Sequence, residues 1–260
     1  MTLAGRLRAE DTDARVAAIA ALRERGAADE DEIAALADCL GHGRKAVQRA
    51  AAEAFATLAE RGVAVRAVLE AALTSAAARQ RWAAAYALAR LGGPTSGLLP
   101  VLVETLGGYD GDLRWAAADI LTGLPDRPAV QAVLRRLVRE GNPAQRKMAF
   151  YCLRDLEDRT PEVEASALAA VADRDPGVSL AAIASLARLA TDRVGAAARL
   201  VTVLQTGTER AARAAAAALG TLGERGEPVL VALRRAAASP DPSLRRAARR
   251  ALGFLGVTGS

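Results

Sequence analysis

RWAAAYALARLGG, residues 81–93, is one of the clearest copies of a helical pattern that recurs through this chain. Alanine, which fills much of it, has the highest helix propensity of all residues, and the closing glycine pair is a typical helix end. Related phrases occur at 113–124 (LRWAAADILTGL), 180–190 (LAAIASLARLA) and 244–256 (LRRAARRALGFLG). Eight copies align on one anchor leucine each: Leu22, Leu58, Leu88, Leu121, Leu153, Leu186, Leu219 and Leu252. The anchors follow one another at 36, 30, 33, 32, 33, 33 and 33 residues, a period that is typical of stacked helical repeats.

The spacing predicts an all-α fold, a right-handed α-solenoid of about eight helix pairs in one domain, 1–260. In each repeat a first helix precedes the helix that carries the anchor, which we call the second helix. Asn142, Asp175 and Asp241 stand just before second helices, where their side chains are expected to cap the helix. The predicted repeats are about 1–26, 29–62, 64–92, 96–125, 128–157, 161–190, 194–223 and 227–256.

The residues three and four positions before each anchor are predicted to face the core. The position four before the anchor is alanine in all eight copies, which marks it as the place where helix backbones meet. The position three before the anchor is apolar in seven copies and is Arg249 in the last. A charge at a core position predicts that the eighth repeat is a cap with a polar outer face.

The composition fits such an array and leaves the origin of the basic charge open. Hydrophobic residues form 52% of the chain but aromatic residues only 3%, as expected for closely stacked, alanine-rich helices. There are 35 basic and 30 acidic residues, and Lys45 and Lys147 are the only lysines. An excess of arginine favours recognition of phosphate or carboxylate groups, and it is equally what a GC-rich genome produces.

A polar pair precedes the core positions in several repeats, namely an acidic or amide residue followed by arginine four positions later. The pairs are Asp11 with Arg15, Asp110 with Arg114, Asn142 with Arg146, and Asp241 with Arg245. With the alanine and leucine positions, they resemble the short bacterial HEAT-like repeats that also occur in phycobilisome lyases. The resemblance implies that these polar residues form a ladder between adjacent repeats, and it is specific for fold rather than for function. The signature residues of tetratricopeptide and ankyrin repeats are absent.

Aromatic residues cluster at two positions of the second helices that point away from the predicted core, six and two residues before the anchor. In HEAT-like arrays this helix generally lines the concave side, so we predict a ligand groove there. The candidate binding residues are Trp82, Tyr86, Trp115, Asp119, Lys147 and Tyr151. A basic flank of Arg213, Arg246 and Arg250 continues the same positions. The alternative is that Trp82 and Trp115 fold down between repeats as packing residues.

The interpretation we favour is a non-catalytic scaffold that binds a protein or peptide along the aromatic groove. Nucleic acid is the alternative partner, with arginines on phosphates and aromatic rings on bases. Trp115 and Asp119 resemble the Trp/Asp pair of HEAT-like alkylpurine DNA glycosylases, with Trp82 and Arg146 as further partners. That resemblance implies a catalytic role for Asp119 and none for any other residue. A lyase or assembly-chaperone role is a third possibility, based on the repeats alone.

Other chemistry finds little support in the sequence. His42 is the only histidine, and its glycine-flanked position indicates a surface loop rather than a catalytic base. Cys39 and Cys152 have neither metal-ligand nor disulfide spacing, so we expect no metal and no cofactor. No apolar stretch approaches the roughly 20 residues that span a membrane. We therefore expect a cytoplasmic protein without a membrane partner.

Overall fold

The structure, a computed structural model, describes residues 2–257, and within that range it contains sixteen α-helices and no strand. The helices alternate between first and second helices of eight repeats, as the period predicts. The first helices are α1 (Leu3–Leu7), α3 (Glu30–Leu40), α5 (Arg66–Ala72), α7 (Thr95–Leu106), α9 (Arg127–Glu140), α11 (Pro161–Ala170), α13 (Arg193–Thr206) and α15 (Glu227–Ala237). The second helices are α2 (Thr12–Arg25), α4 (Lys45–Glu60), α6 (Ala78–Arg90), α8 (Gly111–Gly123), α10 (Pro143–Asp155), α12 (Pro176–Leu189), α14 (Glu209–Leu222) and α16 (Pro242–Phe254).

The contacts between helices divide the chain into two compact units. Unit 1 comprises Met1–Thr105 with Gly123–Asp126, and unit 2 comprises Leu106–Thr122 with Arg127–Ser260. Within each unit, second helices pack against second helices of the next repeat: α2 on α4 and α4 on α6 in unit 1, and α10 on α12, α12 on α14 and α14 on α16 in unit 2. The single domain over 1–260 stays a prediction.

The two core positions are where the sequence places them. All eight alanines four before the anchor have no exposed surface. The position three before the anchor is buried in seven repeats and includes Phe55 and Phe150, which are both fully buried. Burying one such side chain contributes roughly 1.5–3 kcal/mol to folding. Arg249, at this position in α16, is exposed.

The polar residues at the start of the second helices stabilise the first turn of their own helix. The side chains of Asn142, Asp175 and Asp241 accept hydrogen bonds from amides of the first turn, which confirms the predicted caps. The arginine four positions after the cap turns back and donates to a carbonyl just before the helix. For example, Arg245 donates to Ser239 O over 2.7 Å, and Arg114 donates to Gly108 O over 2.6 Å.

The polar pairs also join adjacent repeats. Arg146 bonds both carboxylate oxygens of Asp173 in the next repeat at 2.9 and 3.0 Å, and the Asn142 side-chain amide donates to Gly107 O of the preceding repeat over 3.4 Å. The Nη1 atom of Arg213 lies 3.7 Å from Asp241 Oδ2 between the last two repeats. The expected ladder is therefore seen at the pairs of Asn142 and Asp241, and elsewhere it stays a prediction.

Gly220 lies where α14 and α16 pack closely against each other. A Cβ atom on Gly220 of α14 would lie 2.8 Å from the Cα atom of Ala251 in α16. Gly253 is its counterpart in α16, one residue after the anchor, and a Cβ atom there would have nothing within 4 Å. The same repeat position is therefore tightly packed in α14 and open in α16.

Candidate functional site

The predicted binding residues are divided between the two units. Trp82 and Tyr86 lie on α6 in unit 1, and their ring centroids are 6.2 Å apart with a tilt of 44°. Trp82 is only 9% exposed. The prediction that Trp82 lies on an open surface is therefore wrong. Trp82 is instead a packing residue on α6, which packs against α3, α4 and α5. Tyr86 is half-buried.

In unit 2, two aromatic residues from neighbouring repeats form an open stack. Trp115 of α8 is 48% exposed, and its ring lies on that of Tyr151 of α10 with centroids 5.4 Å apart and planes within 16°. The guanidinium of Arg154 lies 5.1 Å from the centre of the Tyr151 ring and is held by Asp155 at 2.8 Å. We call Trp115, Tyr151 and Arg154 the aromatic stack. Its stacking and cation–π contacts fix the side chains while leaving half of the tryptophan surface for a ligand.

Beside the aromatic stack lies a groove lined mainly by small side chains. It has a volume of about 340 Å³ and runs between α12 and α14, with Arg154 of α10 at one wall. Its alanines come from both helices, and Arg188 of α12 stands at its edge. We call this the alanine groove, and its lining residues include Ala184, Ala187, Ala214, Ala217 and Ala218. Because alanine side chains are short, the space between the two helices remains open for a ligand side chain.

The aromatic stack and the alanine groove occupy one stripe of the second helices. Residues at i, i+4, i+7 and i+8 share a helix face, so the positions six and two before the anchor continue into those one and two after it. On α10 these are Lys147, Tyr151, Arg154 and Asp155. Arg154 and Arg188 lie one and two residues after their anchors, so the two positions before the anchor do not predict them. The continuation of the same helix face past the anchor is the signal that includes them.

Two carboxylates lie near the aromatic stack. Burial, followed by the carboxylates of Asp155 and Asp119, raises the pKa of the Cys152 thiol to about 12. Both acidic groups thus act on one thiol of α10, and Asp119 is exposed on α8, four residues after Trp115.

Toward α16 the stripe becomes basic. Arg213 lies 3.7 Å from Asp241, and the Nη2 atom of Arg246 donates to Ser243 Oγ over 3.3 Å. Arg250 and Arg188 are exposed, and neither forms an ion pair with another described residue. Helices α10, α12, α14 and α16 together carry ten basic and two acidic residues. The whole chain has a net charge of only +5, so its positive charge is concentrated on these four helices.

Other candidate chemistry is accounted for by local structure. The Nδ1 atom of His42 accepts a hydrogen bond from the Arg44 amide over 3.1 Å, so this histidine stabilises its own loop. Burial, together with the nearby Arg15 and Arg44, lowers its pKa. Among residues 2–257 no group of three or more histidine, cysteine and acidic side chains is placed to hold a metal ion. In the same range, no helix combines the length and apolarity that crossing a membrane requires.

Comparison with known proteins also indicates a helical repeat protein. Residues 99–187 match the family model of HEAT repeats. No curated protein sequence matches the chain. Residues 99–187 thus resemble HEAT repeats, and the whole described chain has a helical repeat fold, while the narrower likeness to repeats of phycobilisome lyases stays a prediction.

Three solved structures show the likeness in fold. YibA of Escherichia coli has a TM-score of 0.59 at 17% identity, covering 98% of this chain and 92% of that chain. A mutant of Kap121p reaches 0.71 at 13% identity, covering 97% of this chain and 33% of that one. Yeast importin-β (Kap95p), in the Kap95:Nup1 complex, gives 0.64 at 13% identity and covers 97% and 41%. This chain thus spans well under half the length of the two Kap proteins.

Proposed function

We propose that this chain is a non-catalytic scaffold that binds a protein partner on the second-helix stripe of unit 2. The observation that carries the proposal is the half-exposed Trp115, which stacks on Tyr151. Arg154 contacts the Tyr151 ring and also lines the alanine groove, so the aromatic stack and the groove are neighbours. A large, ordered aromatic surface next to a cleft for side chains is what protein-binding hot spots have in common. The Kap95:Nup1 complex is a precedent for a similar fold with a protein partner.

Some of the predicted residues do not enter this proposal. Trp82 is buried, and Arg146 is bound to Gly141 O and Asp173, so neither side chain is open to a nucleobase. We therefore do not extend the resemblance to DNA glycosylases into a proposed activity for Asp119. A lyase or assembly-chaperone role and a cytoplasmic location stay predictions.

A displayed library of random 12-residue peptides, screened on the immobilised full chain, tests the proposal. We expect enriched sequences whose synthetic versions bind in fluorescence anisotropy. Replacement of Trp115 with alanine should weaken binding by about tenfold or more, as loss of an aromatic hot spot does. Tyr109→Ala is the matched control, because Tyr109 is a fully exposed aromatic residue of unit 2 outside the stripe.

The proposal fails if no peptide is enriched, or if Tyr109→Ala weakens the synthetic peptides as much as Trp115→Ala does. Circular dichroism of each variant shows whether the helical array is intact, so that a loss of binding is not a loss of fold.

A further inference from the structure

The charge along the stripe of unit 2 changes sign between α8 and α16, and the proposed function does not by itself explain this change. At its α8 end it presents Asp119 next to the aromatic stack. At its α16 end it presents Arg246 and Arg250, both exposed. A partner that lies along the stripe therefore meets negative charge first and positive charge afterwards.

The alanine groove lies between these two ends, and its lining limits which side chains a partner can place there. Alanine methyl groups from α12 and α14 line its floor, which suits one apolar side chain of moderate size. Arg188, exposed and without an ion pair among the described residues, stands at its edge. A guanidinium at the rim of an apolar cleft pairs with a carboxylate in the same ligand.

From this arrangement, and resting on the proposed function, we infer that the partner contributes an extended acidic peptide segment. One apolar side chain of the segment occupies the alanine groove. Carboxylates on its α16-facing side contact Arg188, Arg246 and Arg250, while its other end is neutral or cationic where it meets Trp115 and Asp119.

Nucleic acid fits the same surface less well. The rings of Trp115 and Tyr151 already lie on each other at 5.4 Å, so a base has only the outer face of Trp115 to stack on. The phosphates of a strand that continued past this stack would approach the exposed Asp119. A peptide differs because its charge varies along the sequence, so it can match a surface that changes sign.

Four fluorescein-labelled probes test the inference by anisotropy. The first is a 12-residue peptide with a central leucine, glutamates on one side and neutral residues on the other. The second replaces the glutamates with lysine, the third replaces leucine with alanine, and the fourth is a single-stranded DNA 12-mer. We expect the first peptide to bind, with the lysine peptide weaker by about tenfold and the difference shrinking as salt screens the charges.

Charge reversal on the protein gives the matched test. The double variant Arg188→Glu with Arg250→Glu should weaken the glutamate peptide by about tenfold and strengthen the lysine peptide. The control is Arg136→Glu with Arg235→Glu, which makes the same change of net charge on exposed positions of the first helices α9 and α15. The variant Ala217→Trp fills the groove from an exposed position and should abolish the advantage of leucine over alanine.

The outcomes separate this inference from the proposed function. Equal binding of the glutamate and lysine peptides, still sensitive to Trp115→Ala, overturns the acidic segment and leaves protein binding in place. Tighter binding of DNA than of the glutamate peptide, lost in the Arg188→Glu/Arg250→Glu variant, overturns the inference in favour of nucleic acid. If none of the peptides binds and the random library also yields none, the proposed function itself fails.

Discussion

Trp82 and Trp115 occupy the same position of successive second helices, six residues before the anchor leucine, yet they differ fivefold in exposure. Trp82 in unit 1 is 9% exposed, and Trp115 in unit 2 is 48% exposed. Trp82 meets the tilted ring of Tyr86 on its own helix, whereas Trp115 stacks on Tyr151 of the next second helix. The position within the helix sets the direction of a side chain, and the neighbouring helices decide whether it is covered.

The largest expected effect separates the two tryptophans by stability. Trp82→Ala removes a buried indole and should lower the free energy of unfolding by about 3–5 kcal/mol. Trp115→Ala removes a half-exposed ring and should cost about 1 kcal/mol, mainly the stacking on Tyr151. Urea unfolding followed by circular dichroism measures both.

Iodide quenching of single-tryptophan variants checks the same comparison without relying on stability. In Trp82→Phe the remaining Trp115 should be quenched readily, and in Trp115→Phe the remaining Trp82 should be protected. Similar quenching in the two variants would contradict the contrast in burial.

The second effect concerns two glycines at the same repeat position, Gly220 of α14 and Gly253 of α16. Gly220→Ala places a Cβ atom 2.8 Å from the Ala251 Cα atom and should destabilise the fold, by about 1–3 kcal/mol for overpacking. Gly253→Ala meets nothing within 4 Å and should stabilise α16 by about 0.5–1 kcal/mol through helix propensity. Thermal melts of both variants give the shift in melting temperature that each substitution causes. The contrast fails if the two substitutions shift the melting temperature in the same direction.

The smallest effect concerns pH and reports on the surroundings of the aromatic stack. Burial and the carboxylates of Asp155 and Asp119 raise the pKa of Cys152 to about 12 in the folded chain. The unfolded chain then loses its thiol proton first, near pH 8.5, so stability is fully present below that pH and falls as the pH rises toward 12. Between pH 8 and pH 10 this linkage should cost about 1–2 kcal/mol.

The measurement is the difference in unfolding free energy between pH 8 and pH 10 for the unsubstituted chain and for Cys152→Ala. Comparing the two pH differences removes the packing cost of the substitution and the titration of all other groups. Equal pH dependence in both proteins would show that the thiol ionises alike in the folded and unfolded chains.

Most of the fold could be predicted from the sequence, because a repeated local pattern has one consistent solution. The run of alanine four before each anchor and the caps at Asn142, Asp175 and Asp241 are local signals, and the structure confirms them. All eight predicted repeats also begin within two residues of the observed first helix of that repeat.

The site could be predicted only in part. The pattern selected Trp115 and Tyr151, but it could not indicate that their rings lie 5.4 Å apart, since that distance depends on how α8 and α10 pack. It missed Arg154 and Arg188 because their role depends on the neighbouring aromatic ring and on a groove between helices. It placed Trp82 on a surface that the packing of α6 closes.

The order of residues is thus sufficient to specify the helical repeat class, the core positions and the stripe on which a site would lie. These features depend on periodicity within single helices. The packing of the helices, in contrast, sets which aromatic residues stay exposed, where the alanine groove lies and which arginines line it. Those properties arise between helices, where exposure is set by the side chains of a neighbour that lies some thirty residues away in the chain.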